Sequence, residues 1–168
     1  MNTETSWTEL HALSVKAATG AGVPAGQALA FGAMLPRHLA EGRPQAPLAD
    51  VLQTPKTIVS LAHQIETMIE EASVSPRLVQ ANVPDAGHCA ILTSWIEGLP
   101  CQAEVVSTPE GVQAYLSLEA PSNRARPERI SIGHDLLKLL NEFAARTYVP
   151  DSAESRANGA GAEAMVLD

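Results

Sequence analysis

The sequence predicts an α+β protein, and three observations carry that expectation. Apolar residues recur at helical spacing through much of 1–73 and again after 133, they alternate with polar ones at 112–118, and Pro/Gly-containing turns separate these segments. The expected architecture is an N-terminal αα-hairpin and a further helix, a small antiparallel β-meander, and a closing helix with an ordered Arg/Gly-rich tail. Residues 1–168 are read as a single domain: 1–73 mainly helical, 76–132 the β-meander, 133–168 the closing helix and tail.

Ser6-Trp7-Thr8-Glu9 has capping-box spacing, so a helix is expected from there to about Thr19, with Leu10, Leu13 and Ala17 on one face. Gly20-Ala21-Gly22 stops it. Pro24 opens a second helix through Ala28, Phe31, Met34 and Leu35 to Glu41-Gly42, which Pro36 should kink or divide. After a Pro-rich connection, Leu48–Leu52 suggests one short turn. Thr54-Pro55 starts a third helix, whose Ile58, Leu61, Ile65, Met68 and Ile69 keep helical period to about Ala72. Residues 89–96 are apolar on both alternating faces and read as a central strand, turned by Glu97-Gly98-Leu99-Pro100 into 101–107. Thr108-Pro109-Glu110-Gly111 fits a type I turn into a half-buried strand through Val112, Ala114, Leu116 and Leu118. A loop at 121–127 and a short strand at Arg129–Ile132 follow, and Leu136, Leu137, Leu140, Phe143 and Ala144 mark the last helix.

With 45% hydrophobic and 18% charged residues the chain can build a core, but aromatics are only 4%, so Leu, Ile, Val and Ala must supply it. A net charge of −8 argues against nucleic acid and anionic membrane as partners. The charge is uneven: residues 1–120 carry five basic and twelve acidic groups, residues 121–168 six and seven. Five of the eight arginines fall in the latter part, which hints at an anion site, because a guanidinium presents a planar fork to carboxylate or phosphate. The first residues are polar and acidic rather than a basic start with an apolar stretch, and no apolar run reaches membrane-spanning length. A cytoplasmic protein is expected, with Cys89 and Cys101 reduced, since a hairpin about Gly98 would not set them opposite each other.

The richest constellation is the tail. Arg146, Tyr148, Ser155 and Arg156 offer two guanidiniums, a phenol and a hydroxyl, with backbone N–H groups around Gly159 and Gly161 able to close on a carboxylate or phosphate. The competing reading is that the two arginines tie the tail to the body through ion pairs. Arg124, Arg126 and Arg129 on one loop offer a second cationic group, or a solvated loop with Glu128 as local partner. The five histidines show no metal-ligand spacing, His134-Asp135 belongs to a helix start, and no nucleophile motif appears. No metal or cofactor is expected.

Lys16–Gly22 with the helix after it, and the closing Ala145-Arg146-Thr147-Tyr148-Val149-Pro150, Ser155-Arg156 and Gly159-Ala160-Gly161-Ala162, resemble a bacterial family catalogued as domain of unknown function 3726. That family has no established activity, so the resemblance implies a fold and no mechanism. The Leu13–Gly42 hairpin is similar to the N-terminal helices of the malate/L-lactate dehydrogenase family distinct from the Rossmann enzymes. Arg43-Pro44-Gln45-Ala46 stands where that family has Ser-His-Gly, and the chain is far too short for that enzyme.

Two function classes follow. One is a protein that binds a small carboxylate or phosphate, or is accessory to a metabolic enzyme. The other is a small enzyme, or a catalytic small subunit whose site is completed by a partner chain. An apolar helix face including Phe31 and Met34 is expected to serve self-association as a homodimer.

Overall fold

The computed structural model describes residues 1–75 and 78–147, which form six helices and five strands in an α+β arrangement. The capping box is present: Glu9 N–H donates to the Ser6 hydroxyl at 3.2 Å, and Ser6 N–H donates to the Glu9 carboxylate at 3.1 Å. Hydrogen bonds from the Ser6 hydroxyl and then its N–H hold the Glu9 carboxyl below its usual range. Helix α1 therefore starts at Trp7 and runs to Gly20, and Gly22, at φ 94°, supplies the left-handed turn that follows.

Helix α2, Ala25–Ala40, is one continuous helix, so of the two effects expected of Pro36 the division does not occur. Met34, Leu35, Pro36 and Leu39 are all buried there, and that burial offsets the hydrogen bond proline cannot make. The Leu48 turn is a full helix, α3, Ala46–Gln53, and α4, Pro55–Val74, begins at the predicted Thr54-Pro55.

The largest correction lies at 86–97. These residues form helix α5, Ala86–Glu97, and not a central strand, so the segment 76–132 is not a pure meander. Asp85 caps the helix by accepting from His88 N–H at 2.8 Å. The helix is buried on nearly every side, and an all-round apolar segment loses the period that separates helix from strand. The two cysteines are free, for a different reason from the expected hairpin offset: Cys89 lies on α5, where its thiol donates to the Val83 carbonyl, and Cys101 starts a strand.

Strands β2, Leu78–Asn82, β3, Cys101–Thr108, and β4, Gly111–Pro121, form an antiparallel sheet in the order β2-β4-β3. The β3–β4 hairpin turns where the sequence predicts. Val79, Ala81, Val112, Ala114 and Leu116 face inward against α4 and α5, while Leu118, expected to continue that buried face, is 37% exposed. Strand β1, Asn2–Ser6, was not anticipated; it pairs antiparallel with β5, Arg129–Gly133, from Asn2↔Gly133 to Ser6↔Arg129. Its side chains are mostly exposed, so its sequence carries no apolar alternation.

Helix α6, His134–Ala145, packs on α1. One buried cluster joins Leu10, Phe31, Leu52, Ile91, Ile132 and Leu140 from both sheets' surroundings and the helices. Phe31 meets Trp95 edge-on, with ring centroids 6.5 Å apart. Phe31 and Met34 are fully buried within their own chain, so the face expected to mediate homodimer formation is part of the core. Among the described residues no helix is long and apolar enough to cross a membrane.

The α1–α6 contact depends on a missing side chain. A Cβ on Gly20 would run into the Phe143 carbonyl oxygen, a backbone atom that cannot turn aside. Gly20→Ala should lower stability by about 1–3 kcal/mol through overpacking. Gly26→Ala on α2, where a Cβ meets open space, should be neutral or stabilise by up to about 1 kcal/mol. Urea denaturation of both variants measures the contrast.

Candidate functional site

A cleft of about 390 Å³ opens where the start of α1, the end of α2, the α5–β3 turn and the segment 121–126 meet. Trp7 is the first residue of α1, placed by the Ser6 cap, and His11 follows one turn later on the same face. Ala33 and Arg37 of α2 are likewise four residues apart. Gly98-Leu99-Pro100 and Pro121, neighbours through the Ser122 N–H bond to the Pro100 carbonyl, line it as well, and Arg124 and Arg126 arrive from the segment between β4 and β5.

Arg37 is the central group. It is only 5% exposed, and its guanidinium lies 5.0 Å from the centroid of the Trp7 ring. Nη1 donates to the Ala125 carbonyl at 2.9 Å and to Glu41 at 3.3 Å. Nε is buried without a hydrogen-bond partner. Arg126 also lies against Trp7, at 5.6 Å, and makes no ion pair among the described residues. Each such cation–ring contact is worth about 0.5–2 kcal/mol, more when shielded from water.

Behind the cleft runs a polar chain. Glu97, itself buried, accepts from Arg43 at 2.7 Å and pairs with Arg124 at 3.5 Å. The same Arg43 nitrogen donates to the Ser94 hydroxyl at 2.9 Å. Ser94 Oγ sits 2.9 Å from both His38 Nδ1 and the Ala90 carbonyl, and His38 Nε2 lies 2.8 Å from the Pro44 carbonyl. A carbonyl only accepts, so Nε2 carries the ring proton, and the single Ser94 hydroxyl proton is shared between two acceptors, His38 Nδ1 and the Ala90 carbonyl. Burial pushes His38 below its ordinary value of 6.5, against an opposing hydrogen bond to Pro44. His38 and Ser94 are 0% exposed, so this serine–histidine contact is closed to any substrate and serves the framework.

Of the tail constellation, Arg146 alone lies among the described residues. Arg146 ends α6 with its guanidinium 4.1 Å over the Phe143 ring. Tyr148, Ser155, Arg156, Gly159 and Gly161 lie outside the described residues. The 124–129 loop divides: Arg124 and Arg126 line the cleft, while Arg129 sits exposed on β5 opposite Ser6. Arg124 pairs with Glu97 and not with the expected Glu128. Sequence reasoning missed Trp7, Arg37, Arg43 and Glu97. One signal was available, a polar pair, Arg37-His38, set among the apolar positions of α2.

A larger cavity of about 710 Å³ lies near Met1, Gln45, Ala46 and the start of α6. His134 and Asp135 are the titratable side chains in its lining and no arginine or lysine reaches it, so its size does not make it the better site. Among the described residues no group of His, Cys, Asp and Glu could hold a metal ion. No family model, no curated protein and no solved structure matches this chain.

Two outcomes follow. Glu97→Gln leaves Arg43 without its buried counter-charge and should cost roughly 3–5 kcal/mol in a urea titration. The unfolded chain protonates His38 near pH 6.5, whereas the folded chain resists until lower pH, so stability falls as pH falls below 6.5. The drop in urea midpoint between about pH 7.5 and about pH 5.5 should be smaller in His38→Gln than in the parent.

Proposed function

We propose that the protein binds a small organic anion, a carboxylate or phosphate, in the cleft formed by Trp7, Arg37, Arg124 and Arg126. The observation that carries this reading is Arg37. A cation 95% removed from water needs full compensation, yet its carboxylate partner Glu41 is itself 36% exposed at 3.3 Å, and Nε has no acceptor. An anion entering the cleft would add to the compensation that a partly exposed Glu41 gives this guanidinium. The unpaired Arg126 and the second guanidinium of Arg124 would add charge-assisted hydrogen bonds. The cleft volume falls at the small end of the ~300–1,000 Å³ usual for ligand sites.

Binding fits better than catalysis because three arginines and a carboxylate already held by two arginines dominate the cleft, and His11 and Ser122, which also line it, share no hydrogen bond that would make a base and its nucleophile. A cytoplasmic setting and a role accessory to a metabolic enzyme belong to the same proposal, as does membership of the family catalogued as domain of unknown function 3726. The free cysteines agree with a reducing compartment: burial raises both thiols above their ordinary range and keeps them protonated.

A thermal-shift screen against carboxylates, amino acids and phosphates tests the reading. A ligand at a hundred times its Kd stabilises by about 2.7 kcal/mol. Arg126→Ala should melt within about 1 kcal/mol of the parent and lose the ligand-induced shift. No anion-induced shift, or one that persists in Arg126→Ala, sinks it.

A further inference from the structure

Resting on the anion-binding reading, we infer that the cleft takes a doubly charged anion in preference to a singly charged one of the same shape. The charges in its lining are unequal. Arg37, Arg124 and Arg126 stand against one carboxylate, Glu97, which leaves two positive charges uncompensated within the lining. Glu41, bonded to Arg37, and Arg43, bonded to Glu97, lie outside that lining and cancel each other in the count. A neighbouring cavity supplies the contrast. It shares Arg37 and Arg124 with the cleft, but Glu41 and Glu104 line it too, so its two arginines meet two carboxylates. The excess is local to the cleft, on the side where Arg126 stands. Glu104 is exposed on β3, where water and salt screen its charge.

The hydrogen-bonding groups run the same way. Arg126 makes no ion pair among the described residues, and Arg37 Nε has no acceptor. In the segment beside them Arg124 N–H donates to the Ser122 hydroxyl at 3.4 Å. Among the described residues no acceptor takes the N–H of Asn123, Ala125 or Arg126. The one carboxylate in the lining already accepts from Arg43 and pairs with Arg124. The cleft thus offers donors and holds few free acceptors, which suits a ligand whose oxygens all accept. A single negative charge would satisfy one guanidinium and leave another facing the site unpaired. A second charge on the same molecule meets that guanidinium without a further loss of translational and rotational freedom. Phosphate monoesters and dicarboxylates share this chemistry. The net charge of −8 on the whole chain acts over distances that salt screens, whereas the arginines of the cleft act at contact.

The test is a calorimetric titration of the full chain with two matched pairs, methyl phosphate against methyl sulfate and succinate against succinamate. Members of a pair have closely similar shapes and differ by one charge at about pH 8, since phosphate monoesters lose their second proton near pH 6. Each dianion should bind about tenfold or more tightly than its partner, the worth of one further charge-assisted contact. Arg126→Gln and Ser122→Asp each lower the local excess by one charge, and both should shrink that ratio. A preference confined to the phosphate pair assigns a phosphoryl group, and one confined to the succinate pair a dicarboxylate; either supports the double charge. Monoanions bound as tightly as the dianions, with both weakened by Arg126→Gln, overturn the double charge and leave the anion site standing. Affinities unchanged in both variants, or no binding by any of these anions, overturn both.

Discussion

The Glu97 carboxylate is the joint on which the cleft depends. It lies at the end of α5, is almost fully buried, and holds one arginine from the chain after α2 and another from the segment after β4. A buried carboxylate flanked by two guanidiniums is stable only while both stay in place, because either loss leaves an uncompensated charge. The Arg43 side of the joint continues through Ser94 and His38 to the Pro44 carbonyl, so the turn after α2 is fastened to α5 by hydrogen bonds and not by packing alone. The Arg124 side reaches the rim of the cleft. One acid thus couples the core to the surface that is proposed to meet the ligand.

Arg37 shows the opposite economy of contacts. It is held by the Ala125 carbonyl, a half-exposed Glu41 and the face of Trp7, and one of its nitrogens has nothing. Folding alone gives little reason to bury a cation so incompletely satisfied, since an apolar residue of similar size would cost less. Where a fold carries such a group at the floor of a cleft, the remaining compensation is naturally sought from outside the chain. The contrast between a satisfied Arg43 and an unsatisfied Arg37, close together in the chain, separates framework from site.

How much of this was legible in the sequence follows from how local each determinant is. The α1 cap, the Thr54-Pro55 start and the 108–111 turn were readable because their signals lie within four residues of the backbone they control. Helix α5 was not, since Cys89, Ile91, Leu92, Trp95 and Ile96 are buried together and a helix buried all round looks like an inner strand. Pro36 does not divide α2, because propensity is local, whereas burial of Met34, Leu35 and Leu39 is supplied by other elements. The site was legible only at Arg124 and Arg126. Trp7, Arg37 and Glu97 are separated by tens of residues, and only the packing of α1, α2 and α5 makes them neighbours.

The pairing of β1 with β5 has a consequence beyond closing the N-terminus onto the body. Its last rung is Ser6↔Arg129, and the two strands run antiparallel. Trp7 and the residues just before Arg129 therefore leave the ladder at the same end, which is where Arg126 meets the indole. Shifting the ladder by one rung would displace the ring by about 3.3 Å relative to that arginine. The two strands work as a vernier: the amino-terminal residues, exposed and unremarkable in composition, set the alignment of an aromatic plane with a cation more than a hundred positions away in the chain.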